Sequence, residues 1–252
     1  MASTAEASAF ARASRELTSL AQDDLSALTG RLFSRPSGLS IGDVLDAYTS
    51  VIDEYAPMSA SLSADWYERQ RAASGTRGRF SAETAGHGYQ PEALQRHSER
   101  ALRAAQTVGA GLATTRLSGD LDRVVMQAGR NTGLFNAQRE RVGWARIPSG
   151  SDPCAFCLTL ASRGAVYSED TVTRRDDGDT YHHSCNCVGH RIAETSDYPE
   201  DFDPDEMYQV YRAAYNAAEN ELAAGSSPDI NHVVSKLRRQ SPDMVRDGVH
   251  ED

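Results

Sequence analysis

At 252 residues and 27.4 kDa, with 39% hydrophobic and 25% charged side chains, the chain can bury a sizeable core as one large domain or two small ones. No run approaches the roughly 18 consecutive apolar residues of a membrane span. Residues 1–150 carry 16 acidic and 17 basic side chains and residues 151–252 carry 20 and 9, so the net charge of −10 sits in the C-terminal part, which repels phosphate backbones and excludes broad nucleic-acid binding there.

The first residues, MASTAEASAFARASREL, carry Glu6 and Glu16 without a continuous apolar stretch and read as helix rather than as an export signal. Leu17, Leu20, Leu25, Leu28 and Leu32 recur near a period of 3.6 and predict a first amphipathic helix, which SRPSG breaks. Ser40 with Asp43 three residues later has the form of a capping box. Ile41, Val44, Leu45, Tyr48, Ile52 and Tyr55 form the next stripe, continued by Met58, Leu62 and Trp66 with room for a kink at Pro57. Residues 74–90, SGTRGRFSAETAGHGYQ, have no period and read as a long loop or mobile connection. Pro91 suits the first position of a helix whose stripe is Leu94, Ala101, Ala105, Val108 and Leu112. Leu117, Leu121, Val124, Ala128 and Phe135 predict another, from near Ser118.

After Gly143 the texture changes: GWARI and GAVYS are short strand-like segments. Asp203, Pro204 and Glu206 mark a helix start, with Met207, Tyr211, Tyr215 and Leu222 on one face and Gly225 as its end. A last helix near 228–240 starts at Pro228 and packs Ile230, Val233, Val234 and Leu237, and the final dozen polar residues read as frayed. The expected fold class is mainly α (α+β). A helical body spans 1–142, a small cysteine-stapled mixed α/β module spans 143–195, and acidic C-terminal helices and tail span 196–252.

All four cysteines fall between residues 154 and 187. Cys154 and Cys157 form C-x2-C; Cys185 and Cys187 form C-x-C, preceded by His182 in H-x2-C-x-C. Two short pairs of soft ligands brought together by a loop can complete a tetrahedral zinc shell, and a reducing cytoplasm favours metal over disulfide. Five candidates compete for four places: either the four cysteines bind with His182 behind them, or His182 replaces one. Redox-variable pairing and packed thiols are the alternatives. His183 reads as an exposed neighbour and His190 as a surface residue.

Other chemistry is weaker. His97-Ser98-Glu99 and Pro153-Cys154-Ala155-Phe156-Cys157 spell out a zinc-deaminase signature, yet helices fill the space between them. Ser184 beside His182 and His183 does not make a triad, and no phosphate-cradling glycine loop is present. Asp176, Asp177 and Asp179 read as a solvated loop, and Arg174, Arg175, Arg238 and Arg239 as surface charges. No catalytic residues are nominated.

The run Trp144, Asp152-Pro-Cys154-Ala-Phe-Cys157, Gly164-Ala-Val166-Tyr167 and His182-x-x-Cys185-x-Cys187 resembles the phage Mu F-like family of minor head proteins, in the branch from phages of actinobacteria. The near absence of lysine (Lys236 alone) agrees with a GC-rich source. The resemblance implies an α-rich protein inside the phage head, made in the host cytoplasm, associated with the portal protein and acting in assembly or genome delivery. Its further implied partners are major capsid or scaffold proteins, with DNA as a weaker candidate and no membrane. Tyr181 and His182-His183-Ser184 stand where the family has prolines and asparagine. That branch also carries the label of capsid maturation protease, an alternative that would draw on Cys154 or Ser184 as nucleophile and His182 as base.

Overall fold

The computed structural model describes residues 4–34, 38–148, 153–165, 187–223 and 225–250. Four helices, α1 (Thr4–Phe33), α2 (Ile41–Ala73), α3 (Pro91–Thr107) and α4 (Ala110–Glu140), form a bundle in which α4 touches the other three. The buried positions of α1 are Ala11, Ser14, Thr18, Ala21, Leu25, Thr29 and Leu32, each three or four residues after the last, so they line one face of the helix. Of the expected leucine stripe, Leu25 and Leu32 lie on this face and Leu17 and Leu28 pack beside it, while Leu20 faces outward, 56% exposed. The buried hydroxyls are satisfied within the helix: Thr29 Oγ1 donates to the Leu25 carbonyl at 2.8 Å.

The capping box forms at Ser40 and Asp43, and α2 then runs through Pro57 to Ala73. Met58 is exposed, whereas Trp66 is buried, so the stripe resumes beyond the proline. The next boundary differs from expectation. Helix α3 ends at Thr107, Val108 points to solvent, and Gly109 turns the chain at φ 137°, a conformation that favours glycine. Helix α4 therefore starts at Ala110, ahead of Ser118, and takes Leu112 with it; Phe135 is exposed.

Residues 75–90 have no regular structure, but much of this loop is pinned. Glu83 N–H donates to Asn136 Oδ1 at 2.9 Å, and Asn136 Nδ2 donates back to the Glu83 carbonyl at 2.7 Å. Ala85 N–H donates to Thr132 Oγ1 at 2.9 Å, and Arg139 Nη1 to the Ser81 carbonyl at 3.1 Å. Thr132, Asn136 and Arg139 lie along one side of α4, so side chains replace the ladder that a neighbouring strand would supply. Phe80 adds a contact between the guanidinium groups of Arg71 and Arg139, 4.5 and 5.0 Å from its centroid.

Strand β1 (Gly143–Pro148) pairs antiparallel with β2 (Cys187–Ile192), running from Gly143 opposite Ile192 to Pro148 opposite Cys187. GWARI is thus a strand, as its composition predicts, but its partner is CVGHRI. Of GAVYS, Gly164 and Ala165 lie in a turn and the rest is outside the described residues. The outward edge of β2 is closed by α2 side chains: Trp66 Nε1 donates to the Gly189 carbonyl at 3.1 Å, and the Arg191 N–H donates to Gln70 Oε1 at 2.8 Å. Trp144 lies flat against two glycines, since a Cβ on Gly133 or Gly189 would fall 2.3 or 2.0 Å from its ring.

Helix α5 (Ala155–Ala161) packs through Ala155 and Leu158 onto a pair of helices, α6 (Pro204–Glu219) and α7 (Ile230–Gln240). Asp203 caps α6 and Pro204 opens it as predicted; Asn220 ends it, five residues before Gly225 and short of Leu222. Asp229 caps α7, whose Val233, Val234 and Leu237 are buried. The tail is not frayed as expected: it makes a 3₁₀ turn at Pro242–Met244 and buries Val245.

Candidate metal centre

Three of the five predicted ligands are described, and they come together. Cys154 is the N-cap of α5, with extended backbone (φ −74°, ψ 158°), and its sulfur accepts the Cys157 N–H at 3.3 Å. That puts both thiols of C-x2-C at the same helix end, Cys157 one turn into the helix. Cys187 opens β2 opposite Pro148, at the end of the strand pair from which the chain leads to α5. The three sulfur-bearing side chains form one buried cluster covered by Phe156, with Cys154, Cys157 and Cys187 at 6, 2 and 7% exposure. Segments widely separated in sequence thus present soft donors to a common place, a donor set whose chemistry suits zinc. His182 and Cys185 lie outside the described residues, as do His183, Ser184, Arg174, Arg175 and the aspartates 176, 177 and 179. Among the described residues no group of three or more His, Cys, Asp or Glu is arranged to hold a metal ion, so the three cysteines share a cluster without making a metal site by themselves.

Beside the cluster, β2 carries two residues that anchor it to the bundle. Arg191 reaches Glu140 with both branches of its guanidinium, Nε to Oε2 at 2.6 Å and Nη2 to Oε1 at 2.8 Å. Arg71 Nε donates to Oε1 at 2.9 Å and the Tyr67 hydroxyl to Oε2 at 2.7 Å, so one carboxylate gathers α2, α4 and β2. Burial pushes the Glu140 carboxyl upward, but the hydrogen bonds from Arg191, Arg71 and Tyr67 outweigh it and bring it down to about 2. The same site raises Tyr67, through burial and then through its bond to Glu140. No local pattern announces this knot, because its members are scattered along the chain and each looks like an ordinary helix or strand residue.

His190 corrects the surface assignment. Alternation in β2 turns it inward, 3% exposed, with its ring edge-on to Trp66 at 5.6 Å. Burial drops its pKa to about 4, a neighbouring Asp201 opposing only in part. The deaminase signature also dissolves. His97 is turned into the bundle, its Nδ1 3.1 Å from the Tyr48 hydroxyl, while Glu99 points outward and pairs with Arg103 at 3.8 Å.

Among the described residues no helix is long and apolar enough to cross a membrane. No curated protein and no solved structure matches the chain. The model of the VG15 protein family matches residues 1–214, which takes in the bundle, the strand pair, the cysteine helix and most of α6. The chain therefore belongs to the VG15 protein family, a family of viral proteins.

Proposed function

We propose that this viral protein is a minor head protein of a tailed phage, carried inside the virion near the portal and acting in head assembly or genome delivery. Support comes from its membership of a viral family and from the Mu F-like pattern of its cysteine region. The observation that carries the reading is the meeting of Cys154, Cys157 and Cys187 in one buried cluster between the bundle and the C-terminal helices. The two strands and the seven-residue helix are almost wholly buried, but against the bundle and the C-terminal helices rather than around a core of their own. A zinc ion held by Cys154, Cys157 and Cys187, with Cys185 or His182 completing the shell, supplies folding energy on the order of 10 kcal/mol there. The role is a staple, and the long helices are left to meet portal, capsid or scaffold proteins.

Metal analysis of reduced protein tests the staple: about one zinc per chain is expected, and protein that folds fully without metal overturns it. A pull-down against portal, major capsid and scaffold proteins tests the placement, with retention on portal expected. The head-protease reading predicts instead that Cys154→Ser abolishes cleavage of a head protein without altering the thermal melt. As a staple, Cys154, Cys157 and Cys187 lower the melt when replaced, and no cleavage is seen.

A further inference from the structure

The C-terminal tail ends in a set of contacts that no part of the head-protein reading requires, and two of them fall on the residues that bracket Cys154. The Arg246 N–H donates to the Pro153 carbonyl at 3.1 Å. Asp247 Oδ1 accepts the Ala155 N–H, the first amide of α5, at 2.8 Å. Its second oxygen is held from α7, by Arg238 Nε at 2.7 Å and Nη2 at 2.7 Å. The Val249 N–H closes the loop onto the Arg238 carbonyl at 2.8 Å. Val245 is buried against Ala155, Leu158 and Leu237 in the core shared by α5, α6 and α7.

Helix α5 has seven residues, too few to hold its own shape in water, so its first turn depends on outside partners. Two of its opening amides are met by different segments: Cys157 N–H by the Cys154 sulfur, Ala155 N–H by Asp247. The tail is thus a cap supplied from the far end of the chain. The tail residues that make these contacts lie beyond residue 214, outside the region matched by the family model.

We infer that residues 242–249 are a displaceable latch over the cysteine turn, and that its release, through Asp247 and Arg238, exposes Cys154 and Cys157. The latch is held mainly by one carboxylate and one buried valine, so it opens more readily than the bundle unfolds. Opening uncovers the first turn of α5 without separating β1 from β2. The latch governs access to the thiols whether or not they bind metal.

The test is the rate of maleimide labelling of each cysteine, read separately by peptide mass spectrometry on the reduced full-length chain, with and without a zinc chelator. Asp247→Ala and Arg238→Ala are each expected to speed labelling of Cys154 and Cys157 roughly tenfold, with Cys187 changing much less and helical circular dichroism unchanged. Arg238→Ala leaves every direct contact to α5 in place, so its effect would arise through Asp247. A chain ending at Ser241 should label as fast as the faster point variant. Equal acceleration of all three cysteines means general loosening and overturns the latch, as does unchanged labelling in both point variants. The ratio of variant to native rates persists in chelator; a ratio seen only without chelator assigns the effect to metal release instead.

Discussion

The bundle and the cysteine module differ in how much of their attachment is apolar and how much is directed. In the bundle, Tyr48, Ile52, Leu117, Leu121 and Val124 pack with almost no exposed surface, and the binding is distributed over many apolar contacts. The strand pair shares smaller apolar contacts with the bundle, Trp144 with Tyr67 and Ala137 and Val188 with Trp66, and adds directed polar links: Glu140 with Arg191, Gln70 with the Arg191 amide, Trp66 with the Gly189 carbonyl. A distributed core degrades gradually when one residue is cut back, whereas a directed junction fails when its central group is removed.

Glu140→Ala should have the largest effect. It leaves Arg71 and Arg191 without the carboxylate they share in a nearly closed site, and breaking a buried pair of this kind costs about 3–5 kcal/mol. A fall in melting temperature of about 10 °C is expected for a chain of this size. Leu121→Ala in the bundle lies at about 2–5 kcal/mol, from lost burial and a cavity, toward the lower end where the surrounding helices close in. If the two variants melted in the reverse order, with Glu140→Ala within 2 °C of native, the contrast between the regions would fail.

Acidification sharpens the same contrast. The folded chain holds His190 at about 4 against an ordinary 6.5, so the unfolded chain takes up that proton first. The stabilisation is complete above pH 6.5 and is lost as pH falls from 6.5 to 4, a change of ~3 kcal/mol. Glu140, held at about 2 against 4.5, adds a loss from pH 4.5 downward. Stability measured by urea unfolding between pH 7 and 4 should decline, and His190→Phe, which keeps a ring against Trp66, should flatten the decline. An equally steep curve in that variant would remove His190 from the account.

The smallest effect concerns the pinned loop. Asn136→Ala removes both hydrogen bonds to Glu83 and should cost about 1–2 kcal/mol. Its clearest sign would be faster proteolysis within residues 76–86 than in native protein. Unchanged cleavage there would mean that Thr132 and Arg139 suffice to hold the loop.

How much of this could be read beforehand depended on the range of the interaction. Local signals were reliable: the Ser40–Asp43 box, Pro91, and the Asp203-Pro204 start each depend on neighbours within one turn, and each is where expected. The grouping of Cys154, Cys157 and Cys187 was legible from spacing. Gly109 was passed over because apolar residues continue on both sides of it. The loop's attachment was hidden because Thr132, Asn136 and Arg139 look like solvent-facing polar residues until a second segment lies beside them. CVGHRI does not stand out as a strand because a cysteine, a glycine and two basic side chains interrupt its apolar residues. The inward turn of His190 is hidden for the same reason, since facing is set only once the strand is recognised.

Both tryptophans of the chain lie at one seam. Trp66 reaches out from the bundle to the Gly189 carbonyl, and Trp144 lies from the strand pair against Gly133. The protein therefore carries a native fluorophore pair at the place where its two regions part. Their emission would report detachment of the strand pair directly, and a red shift preceding loss of helical signal would mark that detachment as an event of its own.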